Sequence, residues 1–228
     1  TEISENEFVV GASVSGANLN RNHKFSKLWP GVLEAFRLIG SEQIQGRASL
    51  GGNLCNGSPA ADSVPAQIAA GATVSIIGPT GERIMAVEDI PTGPSKTSLV
   101  HGELISAINV PARGENAGDA YLRFIPRTEM DIAVVGCGVS LRLDNGTITE
   151  ARVALGAVAP KVLLVDECSK ALIGTKLDKT ALKKLRQAAE NACNPINDKR
   201  GTIEFRTEVA GVLAVRTAKK AYNRAQAK

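Results

Sequence analysis

The chain has 228 residues, 43% of them hydrophobic and 22% charged, with a formal net charge of +4. This is the profile of an ordinary globular protein and excludes the disordered and fibrous classes. No run approaches the roughly 18 consecutive apolar residues of a membrane span. Thr1 to Glu5 carries neither the basic start nor the apolar stretch of a secretory signal, so the expected location is the cytoplasm. Residues 182 to 228 hold eleven Lys and Arg against four Asp and Glu, so the positive excess is a C-terminal property. Without an interleaved run of aromatic residues it reads as a solvated helix face rather than a nucleic-acid surface. Cys55, Cys137, Cys168 and Cys193 form no C-x-x-C pair, and His23 and His101 are far apart in sequence. That spacing supports neither a zinc site nor a Cys₄ iron–sulfur cluster and predicts small buried thiols in a reducing compartment.

In chain order, residues 6 to 11 predict a short strand. Pro30 to Ile39 predicts a helix, because Val32, Leu33, Phe36 and Ile39 recur at helical spacing behind a proline suited to the first turn. A second helix is expected from Pro65 to Ala72, then a strand over Thr73 to Ile77, a turn at Gly78 to Gly81 and a returning strand over Arg83 to Val87. A loop at Pro91 to Pro94 and a strand over Leu104 to Val110 follow. The glycine- and asparagine-containing break near residues 112 to 118 suggests a domain boundary, giving units 1–113 and 114–228. Beyond it, strands are expected over Ala120 to Ile125, Ile132 to Leu143 and Thr147 to Val158, the last two joined by the hairpin signal Asp144-Asn145-Gly146. Helices are expected at about 178 to 193 and 203 to 224. Strand runs followed by helix runs give an α+β class.

The most informative segment is Gln45-Gly-Arg-Ala-Ser-Leu-Gly-Gly-Asn-Leu-Cys-Asn-Gly-Ser-Pro-Ala-Ala-Asp62. It reads as a loop between two helical patterns, rich in small residues, where backbone N–H groups can converge on an anion such as a pyrophosphate. A plain tight turn is the competing reading. No P-loop, no G-x-G-x-x-G after a strand and no G-x-S-x-G elbow occurs, so any dinucleotide must be held by another fold.

Ser49-Leu-Gly-Gly-Asn53 followed by Ser58-Pro-Ala-Ala-Asp62 resembles the T-I-G-G-N…S-P-x-x-D signature of the FAD-binding domain of molybdenum hydroxylases, the xanthine dehydrogenase and aerobic carbon monoxide dehydrogenase superfamily. The resemblance continues through Gly102 to Pro111, Tyr121 to Ala133, Ala151 to Pro160 and Asp198 to Arg206, covering nearly the whole chain. It implies the second half of a vanillyl-alcohol-oxidase/PCMH-type FAD-binding domain, then a small α+β C-terminal domain of the carbon monoxide dehydrogenase flavoprotein type. The family's A-G-G-T-D-L-like loop, which supplies the other part of the pyrophosphate site, would precede residue 1.

The implied activity is that of an oxidoreductase: a flavoprotein subunit carrying non-covalent FAD. A molybdopterin-binding large subunit and a [2Fe–2S] small subunit are the implied partners, in a dimer of heterotrimers, with electrons passing from the clusters to an external acceptor. A cofactor-free assembly module and a standalone flavin oxidoreductase are the alternatives. Carried over by position, Ser49, Leu50, Gly51, Gly52 and Asn53 would lie against the pyrophosphate or ribityl chain. Asp62 would accept from a cofactor hydroxyl, its local reading being a helix N-cap. Ile105 would meet the cofactor through its backbone, its local reading being strand core. Arg123 would place a cation near the flavin, its local reading being an exposed strand residue. Arg127 and Asp131 read as a local ion pair, and Ile39 as helix core that can also face the flavin ring. No catalytic side chain and no metal ligand is expected in this chain.

Overall fold

The computed structural model describes residues 2–3, 7–128 and 130–227; Asn6, which opens the first expected strand, and Glu129 lie outside them. The first half begins with β1 (Glu2–Ile3) and β2 (Glu7–Gly11). Six short helices follow: α1 (Gly16–Leu19), α2 (His23–Leu28), α3 (Pro30–Arg37), α4 (Glu42–Gln45), α5 (Leu50–Cys55) and α6 (Ser63–Ala69). Then come β3 (Thr73–Gly78), β4 (Gly81–Ala86), the small pair β5 (Pro91–Gly93) and β6 (Lys96–Thr97), and β7 (Leu104–Pro111). Five strands pair antiparallel in the order β1-β2-β7-β3-β4. Alternation places Phe8, Val10, Val74, Ile76, Ile108 and Val110 on one face, where they share a core with Phe25, Val32, Leu33 and Phe36 from the helices. Pro30 opens α3 as expected, but the helix ends at Arg37, leaving Ile39 half-buried beyond it.

The second half is β8 (Ala117–Phe124), β9 (Val135–Asp144), β10 (Thr147–Gly156) and β11 (Leu163–Leu164), followed by α7 (Asp166–Leu172), α8 (Lys179–Asn191) and α9 (Ile203–Gln226). Its sheet runs β11-β10-β9-β8. The β9–β10 hairpin turns through Asn145 and Gly146, both at positive φ (48° and 77°), the pair of conformations a type I′ turn needs. One face of this sheet, with Val139, Leu141, Val153 and Leu155, packs on α7, α8 and α9. The other is covered by α3 and α6 from the first half, and Tyr121 and Ala154 belong to the first core.

Glycines make that second contact possible. A Cβ at Gly138 would lie 2.5 Å from the carbonyl oxygen of Pro65, and one at Gly156 would lie 2.9 Å from the Pro65 ring. The clash at Gly138 is with backbone, which cannot rotate away. Gly138→Ala is therefore expected to cost about 1–3 kcal/mol through overpacking, read as a lower urea midpoint with an unchanged slope.

Several expectations need correction. The 45–62 segment is not a loop throughout, because it contains α5, and α6 begins at Ser63 rather than Pro65. The Pro91 loop pairs into β5 and β6. The strand expected from Ile132 begins at Val135. Cys137 and Cys168 are buried, but Cys55 is exposed and Cys193 only half-buried. The C-terminal basic face is not simply solvated: Lys220 and Arg224 of α9 both reach Glu34 on α3.

Candidate functional site

The glycine-rich segment folds as a one-and-a-half-turn helix whose start is fixed by Ser49. That residue is extended (φ −135°, ψ 161°), and its Oγ accepts the Gly52 N–H at 3.1 Å, an N-cap bond. Leu50 and Leu54, one turn apart, bury fully and anchor the inner face. Neither Gly51 nor Gly52 has a positive φ. Gly51 is required instead by close approach, since a Cβ there would stand 2.8 Å from both Cβ and the carbonyl oxygen of Ala12. Gly52 is exposed, with only Ser49 Oγ near its would-be Cβ. Among the described residues no acceptor takes the N–H of Gly51, one of the donors that a helix start leaves unpaired.

Two links tie this turn to its surroundings. Gly16 N–H donates to the Ala48 carbonyl at 3.0 Å, and Ala12 N–H to the Ser106 carbonyl at 2.9 Å. Ser106 lies at the register shift that separates Ile105 from Ala107 opposite β3, a bulge that re-aims the chain next to Ile105, itself buried. A groove of about 820 Å³ runs alongside, lined by Gly11 to Ser15, Asn18, Arg47 and Ser106.

On the other side, Asn53 Oδ1 accepts from both the backbone N–H (3.1 Å) and the hydroxyl (2.7 Å) of Ser63. The N–H can only donate, so the amide orientation is fixed and Nδ2 is left as a free donor. Gln67 Nε2 donates to the same hydroxyl at 3.1 Å. Asn53 is thus the residue that satisfies the start of α6. Asp62, expected there as an N-cap, is helical itself (φ −58°, ψ −43°) and makes no cap bond. Its carboxylate turns away: Oδ1 accepts from the Tyr121 hydroxyl at 3.2 Å and Oδ2 from Arg123 Nη1 at 2.8 Å.

Arg123 is not the exposed strand residue of the local reading, since its side chain is only 5% accessible. Burial pushes the Asp62 carboxyl up to about 6, against the pull of Arg123 and of the Tyr121 hydroxyl. Because that value lies above the unfolded value of about 3.9, the contribution of Asp62 to stability falls as pH rises from about 4 to about 6. Burial also holds the Tyr121 hydroxyl far above its ordinary range. That hydroxyl occupies space which a Cβ at Gly136 would enter, at 2.5 Å.

The eight expected site residues therefore form one continuous band. Ile105 joins through Ser106 and Ala12 to Gly51, Asn53 joins to Ser63, and its neighbour Asp62 joins to Arg123. Arg127 and Asp131 form the expected ion pair at 3.1 Å, and Asp131 also meets Arg200 at 3.3 Å. These bonds, with the Ile132 N–H, hold the Asp131 carboxyl down at about 2. Sequence reasoning missed Tyr121 and Ser63. The alternation Asp119, Tyr121, Arg123 along β8 was the available signal, because it puts three polar groups on one face of a strand.

Comparison with known proteins places the chain in a family. Residues 1–113 match the FAD binding domain in molybdopterin dehydrogenase, and residues 120–221 the CO dehydrogenase flavoprotein C-terminal domain. The chain is 34% identical over 96% of its length to the carbon monoxide dehydrogenase medium chain of Afipia carboxidovorans, covering 76% of that protein. It is 30% identical over 86% of its length to a putative xanthine dehydrogenase FAD-binding subunit of Escherichia coli K12, covering 68% of it. Among solved structures, reconstituted CO dehydrogenase from Oligotropha carboxidovorans aligns at a TM-score of 0.93 with 33% identity, over 97% of this chain and 77% of that one. Carbon monoxide dehydrogenase from Hydrogenophaga pseudoflava aligns at 0.94 with 30% identity, over 98% and 77%. The chain belongs to the family of FAD-binding medium subunits of molybdenum-containing hydroxylases.

Proposed function

We propose that this chain holds FAD through Ser49, Leu50, Gly51, Gly52, Asn53, Asp62, Ile105 and Arg123, and that it is the electron-transfer subunit of a cytoplasmic molybdenum hydroxylase. Electrons reach it from [2Fe–2S] clusters on a small subunit after a molybdopterin-bearing large subunit oxidises the substrate, and leave to an external acceptor. The assembly is a dimer of heterotrimers. Within this chain, residues 1–113 form the flavin half and residues 114–228 the C-terminal unit. When bound, FAD supplies the ability to accept electrons singly and deliver them in pairs.

The observation that carries this reading is the continuity of the band. The unpaired N–H of Gly51, the free Nδ2 of Asn53 and the guanidinium of Arg123 all supply donors or positive charge. Donors suit a pyrophosphate and an electron-rich ring, and the one carboxylate among them, Asp62, is already matched by Arg123. Gly52 leaves the backbone open to close approach, Asn53 fixes the direction of its amide, and the buried Asp62–Arg123 pair keeps a cation from swinging into solvent.

Purified native complex should carry a flavin spectrum. Denaturation should release FAD, with no colour left on the polypeptide, because neither His23 nor His101 lies in the band. Release of FMN alone, or a colourless complex that contains molybdenum and iron, would reject the assignment.

A further inference from the structure

Five large apolar side chains that neither core takes in, Phe124, Ile132, Ile196, Ile203 and Phe205, gather where α9 begins. Phe124, at the end of β8, meets Phe205 edge-on with ring centroids 5.7 Å apart. Ile203 shares the first turn of α9 with Phe205, and its backbone N–H donates to the Asn197 side chain at 2.6 Å, which brings Ile196 to the same place. Ile132 belongs to the connection from β8 to β9, closed by the Val134 N–H on the Phe124 carbonyl at 2.9 Å and tied to the approach to α9 by the Asp131–Arg200 pair. Ile196 is 69% accessible and Ile132 54%. Single exposed apolar residues need no explanation, but a contiguous group marks a contact surface.

Ile132 and Ile196 also line a cleft of about 260 Å³ whose walls carry Pro59, Pro94, Pro160 and Pro195. The walls come from both halves and are already pinned together. Ala157 N–H donates to the Pro59 carbonyl at 2.7 Å and Asn194 N–H to the Val158 carbonyl at 2.8 Å. Arg206 donates to the Val134 carbonyl at 2.8 Å and to Asp198 at 2.7 Å. Prolines bring no N–H, and the charged members of the lining, Asp198, Arg200 and Arg206, are engaged in ion pairs. The cleft therefore suits an apolar protein side chain better than a polar small molecule. It also borders the band assigned above to FAD. Phe124 follows Arg123 directly, and Pro59 stands three residues before Asp62, so it lies within about 11 Å of it at 3.8 Å per Cα step.

We propose that this patch and cleft are the seat of the [2Fe–2S] small subunit, which inserts an apolar side chain between the four prolines. The choice of occupant rests on the FAD reading: of the subunits in such a complex, the one that hands electrons to the flavin has to dock beside the band. A permanent subunit contact is also the kind of interface that is apolar at its centre and built around a preformed pocket. At its rim Arg127 and Arg200 share the single carboxylate of Asp131, so the partner edge that meets them carries acceptors.

The test uses the native complex bearing Ile196→Glu, with Ile84→Glu, an equally exposed residue on β4, as the control. Ile196→Glu should lower the small subunit and its iron at least tenfold per medium chain, with flavin content and the melting temperature of the medium chain unchanged, whereas Ile84→Glu should keep the parent composition. Retention of the small subunit in Ile196→Glu overturns the proposal, as does selective loss of the large subunit or of flavin. A colourless parent complex that still sheds the small subunit in Ile196→Glu would refute the FAD reading alone and support the docking surface. Should Ile196→Glu fail to fold, benzoylphenylalanine placed at position 196 decides: photo-crosslinking to the small subunit supports the assignment, and crosslinking only to the large subunit or to a second medium chain refutes it.

Discussion

Asp119→Ala is expected to lower the melting temperature by about 10 °C, through the loss of about 3–5 kcal/mol, the usual cost of stripping one partner from a buried ion pair. Asp119 Oδ1 accepts from Arg113 Nη2 at 2.8 Å, and both side chains are about 5% accessible. Its Oδ2 accepts the N–H of Gly31, in the first turn of α3, at 2.8 Å. The pair adds little net stability while intact, because burial pushes the Asp119 carboxyl above its usual range even with Arg113 beside it. Breaking it is another matter. Arg113 lies 4.3 Å over the Trp29 ring and already has Nε and Nη1 without partners, so no other group can take up its charge. A Trp29 Nε1 bond to the Pro111 carbonyl at 2.8 Å fixes the ring beneath it. Arg113→Met added to Asp119→Ala should recover part of the loss, since an apolar pair suits the site better than a lone cation. A single variant that melts with the parent would refute this account.

The two glycines of α5 should separate fold from ligand. Gly51→Val drives a side chain into the backbone of Ala12, so it should both destabilise the protein by about 1–3 kcal/mol and abolish flavin retention as α5 is displaced. Gly52→Val meets only Ser49 Oγ, at 3.1 Å, on an exposed face. Valine is also no worse than glycine in a helix. This variant should melt within a few degrees of the parent yet lose most of its flavin, because the added side chain covers the N–H groups that a phosphate must approach. Thermal melts and the flavin-to-protein absorbance ratio read the two effects independently. Full flavin occupancy in Gly52→Val would show that the ligand does not lie on that face.

Sequence periodicity located α3, α8, α9 and the principal strands, and Asn145-Gly146 marked its hairpin, because each signal is local. The α5 helix was hidden for a physical reason: two adjacent glycines disfavour a helix by about 1 kcal/mol each relative to alanine. The burial of Leu50 and Leu54 and the Ser49 cap override that preference only in the folded protein. Asp62 misled in a similar way. Its position before α6 suggested a cap, but Asn53, ten residues upstream, does that work, and the true partner of Asp62 lies 61 residues downstream. The glycine-rich signature led to α5 and the start of α6, whereas the place of Tyr121 beside Asp62 could be found only once β8 was laid against α6.

Much of one face of the second sheet is covered by helices from the first half, and this bears on how the chain is made. During synthesis α3 and α6 leave the ribosome well before β8, β9 and β10, the strands that cover them. Val64 and Ile68 end fully buried in a core that also includes Tyr121, Ala154 and Val162, and Glu34 waits for Arg224, 190 residues later. The apolar face of α6 is therefore expected to stay open until those strands have emerged. Folding slowed by contacts distant in sequence is the expected biosynthetic counterpart of a glycine-floored sheet shared between two halves.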